Sequence, residues 1–182
     1  MRHYGLMIAL LFSGVATAHT LLPGQPVPQV YVADKGEMVM NQDDIRYQRW
    51  NSQLLTGKVR LVIHVAGRLS AKEQSAALIA AVQQASLPRD RFQTTTIVNT
   101  DDALPGSAIF VVRSIASSKK AAPWQQFVID SSGVTAHSWH LQPESAAVVV
   151  IDPQGRVRFA KDGALTAEDV ASVMNQLHEL LG

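Results

Sequence analysis

The run Val59-Arg60-Leu61-Val62-Ile63-His64-Val65-Ala66 constrains this chain more than any other stretch. It is β-branched and almost continuously apolar. A strand with one wet face alternates polar and apolar residues, whereas an unbroken apolar run belongs to a strand covered on both faces. Residues 67–98 complete the unit. Gly67-Arg68-Leu69 reads as a tight loop, and Ser70 with Glu73 forms an S-x-x-E capping box that predicts a helix start. Leu78, Ala81, Val82 and Ala85 recur at helical spacing and Pro88 stops the helix. Phe92 to Val98 is a second strand. Strand, helix and strand make a βαβ unit, with parallel strands and a right-handed crossover.

The flanks read less regularly. Pro23 to Pro28 is extended, because proline disfavours helix at itself and just before itself. Val30 to Val32 predicts a strand, Asp34 to Glu37 a turn, and Met38 to Met40 the returning strand. Asn41 to Asp44 breaks the pattern, Ile45 to Trp50 is a further strand, and Ser52 to Leu55 is at most one turn of helix. Together these make an N-terminal β extension. After the βαβ unit, Ser107 to Ala122 predicts a helix ended by Pro123. Phe127 to Ile129 and Val134 to Trp139 read as a hairpin about the turn at 130–133. Ala146 to Ile151 and Arg156 to Ala160 form a second hairpin about Asp152-Pro153-Gln154-Gly155. Thr166 and Asp169 cap a last helix whose buried stripe is Val170, Val173, Met174, Leu177 and Leu181.

Composition limits what such a chain can do. It has 182 residues, 47% of them hydrophobic, and a net charge of +1. A chain of this length buries roughly 70% of its unfolded surface, enough for one ordinary core. The near-neutral charge argues against nucleic-acid or membrane-surface binding, since both require a dense basic face. Arg2 and His3 precede an apolar stretch, Leu6 to Val15, that is too short to span a bilayer. Ala16-Thr17-Ala18 then supplies an A-x-A site. Residues 1–18 are expected to be a cleaved secretory signal and 19–182 a single domain, exported without a membrane anchor. There is no cysteine. Disulfides, thiolate nucleophiles and thiolate metal sites are all excluded.

The element order resembles that of thioredoxin. GKVRLVIHVAG resembles the strand that opens the βαβ unit of thioredoxin-like and peroxiredoxin-like proteins, and AAVVVIDPQGRVRFAKDG resembles their closing hairpin. More closely, the chain resembles the YtfJ family of small periplasmic proteins over nearly all of residues 19–182. The likeness rests on WNS at 50–52, HVAGRLSAKE at 64–73, TTTIVNTDDALPGS at 94–107, KK at 119–120 with PW at 123–124, AVVVIDPQGRV at 147–157 and AKDGALT at 160–166. It implies an α/β, thioredoxin-like fold, with a central mixed sheet flanked by helices, and a periplasmic location. It implies no particular reaction. The Cys-x-x-Cys pair of active thioredoxins would fall near Leu69 to Lys72 and is absent. Their cis-proline would fall near Ala146, and Pro143 is too early for it. Disulfide exchange requires a thiolate, so this chain cannot perform it.

The candidate site is set by the parallel strands. Ligands of such sheets bind beyond the carboxyl ends of the strands, here Arg68 and Ser70 after the first and Asn99, Asp101 and Asp102 after the second. The helix beginning at Ser70 would offer N–H groups to an anion, with Arg68 beside it. Alternatively, Arg68 pairs with Asp101 to hold the loops, Ser70 only caps and Asn99 only fixes a turn. Asp101 and Asp102 are adjacent, face opposite ways in extended chain and make a poor acid/base pair. No G-x-S-x-G elbow is present. His137 and His140 lack a third clear metal ligand, and His64 fits a hydrogen-bonded core or rim histidine. Lys119, Lys120, Pro123 and Trp124 either complement and close a helix C-terminus or present Trp124 as an exposed anchor for a protein partner. Lys161-Asp162-Gly163 reads as a turn holding a charge pair. No metal or cofactor is expected. The expectation is a non-catalytic binding or interaction module, with a periplasmic protein or a small anionic ligand as partner. The alternatives are a non-redox enzyme using Arg68, Asn99 and Asp101 on a small anionic substrate, and a purely structural or oligomeric role.

Overall fold

Strand β3 (Val59–Ala66) is buried along its whole length, lying between β4 (Phe92–Asn99) and β6 (Ala146–Ile151). This computed structural model describes residues 19–182. The expected secretory signal lies outside the described residues. The other strands are β1 (Tyr31–Asn41), β2 (Asp44–Asn51), β5 (Gln126–Asp130) and β7 (Val157–Asp162). They form one seven-stranded sheet in the order β2-β1-β5-β4-β3-β6-β7. β3, β4 and β5 are parallel, with Val65 opposite Val98 and Ile97 opposite Val128, and the remaining pairs are antiparallel.

Each face of the sheet carries its own core. On one face, Leu61, Ile63, Val148 and Val150 pack under helices α2 (Ala76–Ala85) and α5 (Ala167–Leu181), through Leu78, Val173, Leu177 and Leu181. Further along that face, Val65, Val98, Phe127 and Ile129 meet Val111, Val112 and Ile115 of α3 (Ala108–Ala121). On the other face, Val62, Ile97, Val128 and Val149 lie beneath Trp139 of α4 (Val134–Trp139), Trp50 and the N-terminal Leu21 and Val30. The α5 capping box forms as expected, with Thr166 and Asp169 each bonding the other's backbone N–H.

Three local expectations are corrected. Residues 30–40 are not strand, turn and strand. They form one bulged strand, in which Val32 pairs with Trp50 but Glu37 with Gln48. Gly36 makes this possible: its φ is +75°, and a Cβ there would fall 2.1 Å from the Gln48 carbonyl oxygen. The chain reverses instead at 41–44, where Gln42 takes φ 55°. Second, residues 134–139 are helix α4 rather than a strand. The buried Asp130 carboxylate accepts from Val134 N–H at 3.1 Å and Thr135 N–H at 2.8 Å, satisfying the first turn of a helix. Third, the helix after β3 is broken. α1 is Leu69–Glu73, and Arg68 stands at its N-cap without a side-chain capping bond, so Ser70 and Glu73 form no capping box. Gln74 turns inward at the break, where its amide oxygen accepts from Ala146 N–H and Ser145 Oγ, both at 3.0 Å.

Candidate functional site

The carboxyl ends of β3, β4 and β5 bring three loops to one edge, as the parallel register requires. Gly67 N–H donates to the Asn99 carbonyl at 2.8 Å, and a Cβ on Gly67 would lie 2.9 Å from Ala103 Cβ. The first two loops are therefore packed in contact. Asn99 is buried, and its Oδ1 accepts from Asp101 N–H at 3.1 Å and Asp102 N–H at 3.3 Å. Its role here is to fix the turn.

Arg68 is the clamp of this edge. Its Nε donates to the Asp102 carbonyl at 3.0 Å and to Asp102 Oδ1 at 3.1 Å. One terminal nitrogen lies 3.1 Å from Asp102 Oδ1 and 3.1 Å from Glu144 Oε1. Asp102 Oδ2 in turn accepts from Glu144 N–H at 2.5 Å. The expected Arg68–Asp101 pair is thus replaced by an Arg68–Asp102–Glu144 cluster, which ties the segment before β6 to the other two loops. Asp101 is exposed and faces Gly133, and Ser70 is exposed in the first turn of α1. α1 has only five residues, so it lacks the aligned turns that make a helix N-terminus attractive to an anion. Of the five edge residues selected from sequence, Arg68, Asn99 and Asp102 are brought together structurally, while Ser70 and Asp101 stand apart from the ion-pair cluster.

Beneath the edge lies His64, 2% exposed, with Nε2 lacking a hydrogen-bond partner among the described residues. Burial lowers its pKa from 6.5 to about 4, and Asp130 and Asp102 oppose the shift only in part. At neutral pH it is an uncharged core imidazole, out of reach of any solute. Ser131 Oγ and Thr135 Oγ1 are also buried without a hydrogen-bond partner among the described residues.

Sequence reasoning missed the apolar rim of this edge. Leu69, Leu104, Ile109 and Phe110 are 71%, 55%, 55% and 65% exposed. Leu104 and Ile109 line a cavity of about 600 Å³ together with Lys35, Asp101, Val112 and Ser131. The signal was legible in α3: Val111, Val112 and Ile115 already fill its buried stripe, which leaves Ile109 and Phe110 without a core to enter.

The remaining candidates lie elsewhere. Trp124 precedes β5 and so sits at the opposite edge, 48% exposed, with the Arg89 guanidinium 3.7 Å from its ring centroid. Lys119 does not simply face the helix terminus. It is buried, and Nζ donates to the carbonyls of Pro123 and Gln125, both at 2.7 Å. His137 and His140 are exposed on and just beyond α4, and no cluster of three or more possible metal ligands occurs among the described residues. The charge pair expected inside 161–163 is instead Lys161 with Asp169, while Asp162 Oδ2 accepts from Gln142 N–H at 2.7 Å.

The chain matches, over residues 21–180, the family described as "Bacterial protein of unknown function (YtfJ_HI0045)". It is 54% identical to the "Uncharacterized protein YtfJ" of Escherichia coli (strain K12) over 175 residues, covering 96% of this chain and 95% of that one. It is 35% identical to an "Uncharacterized protein" of Haemophilus influenzae, again over 96% of this chain and 95% of the relative. Among solved structures, it superposes on a putative thiol:disulfide interchange protein DsbE from Chlorobium tepidum with a TM-score of 0.60. That match covers 90% of this chain and all of the other at 15% identity, a likeness of fold alone. The fold is thioredoxin-like, and the residues that carry out exchange in such proteins have no counterpart in a chain without cysteine.

Proposed function

The chain belongs to the YtfJ_HI0045 family of bacterial proteins, and from that premise we propose that it is an exported, non-redox binding module that holds a protein partner on the carboxyl edge of its sheet. The observation that carries this reading is the apolar rim. Leu69, Leu104, Ile109 and Phe110 stand more than half exposed around the loops that follow β3 and β4. Leu104 and Ile109 share the wall of one cavity, and large apolar side chains that meet on a surface, rather than standing singly, mark interaction sites. The rim stands on a rigid base, since Arg68, Asp102, Asn99 and Gly67 hold its loops in register. A preorganised surface lowers the entropy cost of association. The occupant that fits is a polypeptide presenting apolar side chains, with Lys35 and Asp101 on the cavity wall available for its polar groups.

Export to the periplasm is part of the proposal and is supported by the charged start, apolar run and A-x-A site of residues 1–18. The enzyme reading, with Arg68, Asn99 and Asp101 acting on a small anion, has less support. Arg68 spends Nε and one terminal nitrogen on carboxylates, Asn99 is committed to its turn, and Asp101 lies outside the cluster.

Site-specific photo-crosslinking tests the docking edge. A crosslinker at Leu69 or Phe110 should give a discrete adduct in cells, and Leu104→Ser with Phe110→Ser should abolish it while the melting temperature holds. Truncating well-packed anchors of this kind costs about 1–3 kcal/mol of binding each. Equal adducts from a crosslinker at the exposed Asn175 of α5, or adducts indifferent to the double substitution, would rule the edge out.

A further inference from the structure

At the opposite edge of the sheet lies a groove of about 660 Å³, walled by Lys58, Val82, Leu87, Arg89, Phe92 and Trp124. Its size is within the roughly 300–1,000 Å³ of small-molecule sites. Lys58 and Arg89 both line it, and neither has a carboxylate within ion-pair distance among the described residues. Lys58 Nζ donates to the Arg89 backbone oxygen at 2.8 Å, which draws the ammonium onto the wall that carries the guanidinium. The guanidinium lies over the Trp124 ring, and its N–H groups meet no protein acceptor among the described residues. Asp90 also lines the groove and pairs with neither cation.

The loop that presents Trp124 is held from inside the protein. Lys119 Nζ binds the Pro123 and Gln125 carbonyls, and Gln93 Nε2 binds the Trp124 carbonyl at 3.1 Å. Thr95 Oγ1 donates to the Gln126 side chain at 2.8 Å, and Arg60 reaches the same oxygen at 3.3 Å. Lys119 is 5% exposed, and burying an ammonium is costly unless its donors are satisfied. The result is a fixed platform that keeps a large aromatic ring at the surface, next to two cations that form no ion pair among the described residues. Loop stability alone would favour burying that ring.

We infer that this groove binds a small organic anion, its carboxylate or phosphate seated between Lys58 and Arg89 and its flat apolar part against Trp124, Phe92 and Leu87. A guanidinium takes either acid group through paired N–H donors, while the ammonium acts as a point charge. The aromatic wall supplies apolar contact of defined geometry. The groove stands apart from the docking edge and depends on none of its residues.

The test is binding of phenyl phosphate and of benzoylglycine, read through tryptophan fluorescence. Trp50 and Trp139 are 0% exposed, so an added solute acts on Trp124. The expected Kd is about 1 mM or tighter for at least one probe. Arg89→Gln with Lys58→Met should weaken it tenfold or more, and Arg89→Lys should retain part of it. Leu104→Ser with Phe110→Ser should leave it unchanged, which separates this site from the docking edge. Binding of phenyl phosphate alone identifies a phosphate site, of benzoylglycine alone a carboxylate site, and of both a general acid-group site. No response from either probe up to about 10 mM, or a Kd within twofold of wild type in the double cation variant, overturns the inference.

Discussion

His64 shows what a single residue costs and controls in this protein. Its side chain is buried in β3 with Nε2 unpartnered among the described residues, and its pKa is lowered to about 4. The unfolded chain therefore takes up a proton near pH 6.5 that the folded protein refuses until about pH 4. Between those values the unfolded state binds more protons, so stability rises with pH through the window and falls on acidification. Urea unfolding at pH 7.5 and pH 5 should show wild type losing about 2 kcal/mol more than a His64→Leu variant. Equal losses would mean that the imidazole is not buried neutral. Arg68 carries the complementary lesson. A lone arginine in a loop offered itself to an anion or to Asp101, and it binds Asp102 and Glu144 instead. Nothing near Arg68 in sequence announces Glu144, which the fold delivers from the segment before β6.

Among the elements, α4 is the instructive case. Its residues, Val134-Thr135-Ala136-His137-Ser138-Trp139, are rich in strand formers, and propensity favours an extended reading. Asp130 decides otherwise by accepting from two N–H groups of the first turn while itself fully buried. Asp130→Ala removes both bonds and leaves buried donors unsatisfied, which should cost about 2–3 kcal/mol. Trp139 packs in the core from this helix and donates its indole N–H to the Pro28 carbonyl at 3.1 Å. Its fluorescence should shift to the red in that variant. An unchanged melting temperature and spectrum would show that α4 stands without its cap. α5 behaves oppositely: its capping box and apolar stripe are wholly local, and they appear as the sequence predicts.

At the scale of the whole molecule, the sheet should be graded in stability. β3 is hydrogen-bonded on both sides and covered on both faces, whereas β2 is an edge strand with most residues exposed. Native-state hydrogen exchange should therefore be slowest at amides of β3, β4 and β6 and fastest in β2. Uniform protection across the sheet would contradict that gradient. The two proposed surfaces lie at opposite ends of this rigid centre, so one can be altered without disturbing the other.

Residue order is enough to set the buried central strand, the parallel βαβ unit, the closing hairpin and the capped last helix, and to exclude thiol chemistry. These arise from periodicity, turn chemistry and residue identity, all of which act within a few neighbours along the chain. The partners of Arg68, the burial of Lys119 and the exposure of Leu69, Leu104, Ile109 and Phe110 follow instead from the folded arrangement. Those depend on which distant segments arrive at the same place and on how much core remains to be filled. Gly36 and Asp130 lie between the two cases. Each shows locally as a turn residue, but whether it makes a bulge or a helix cap is decided by the strand or cavity it meets in the folded chain.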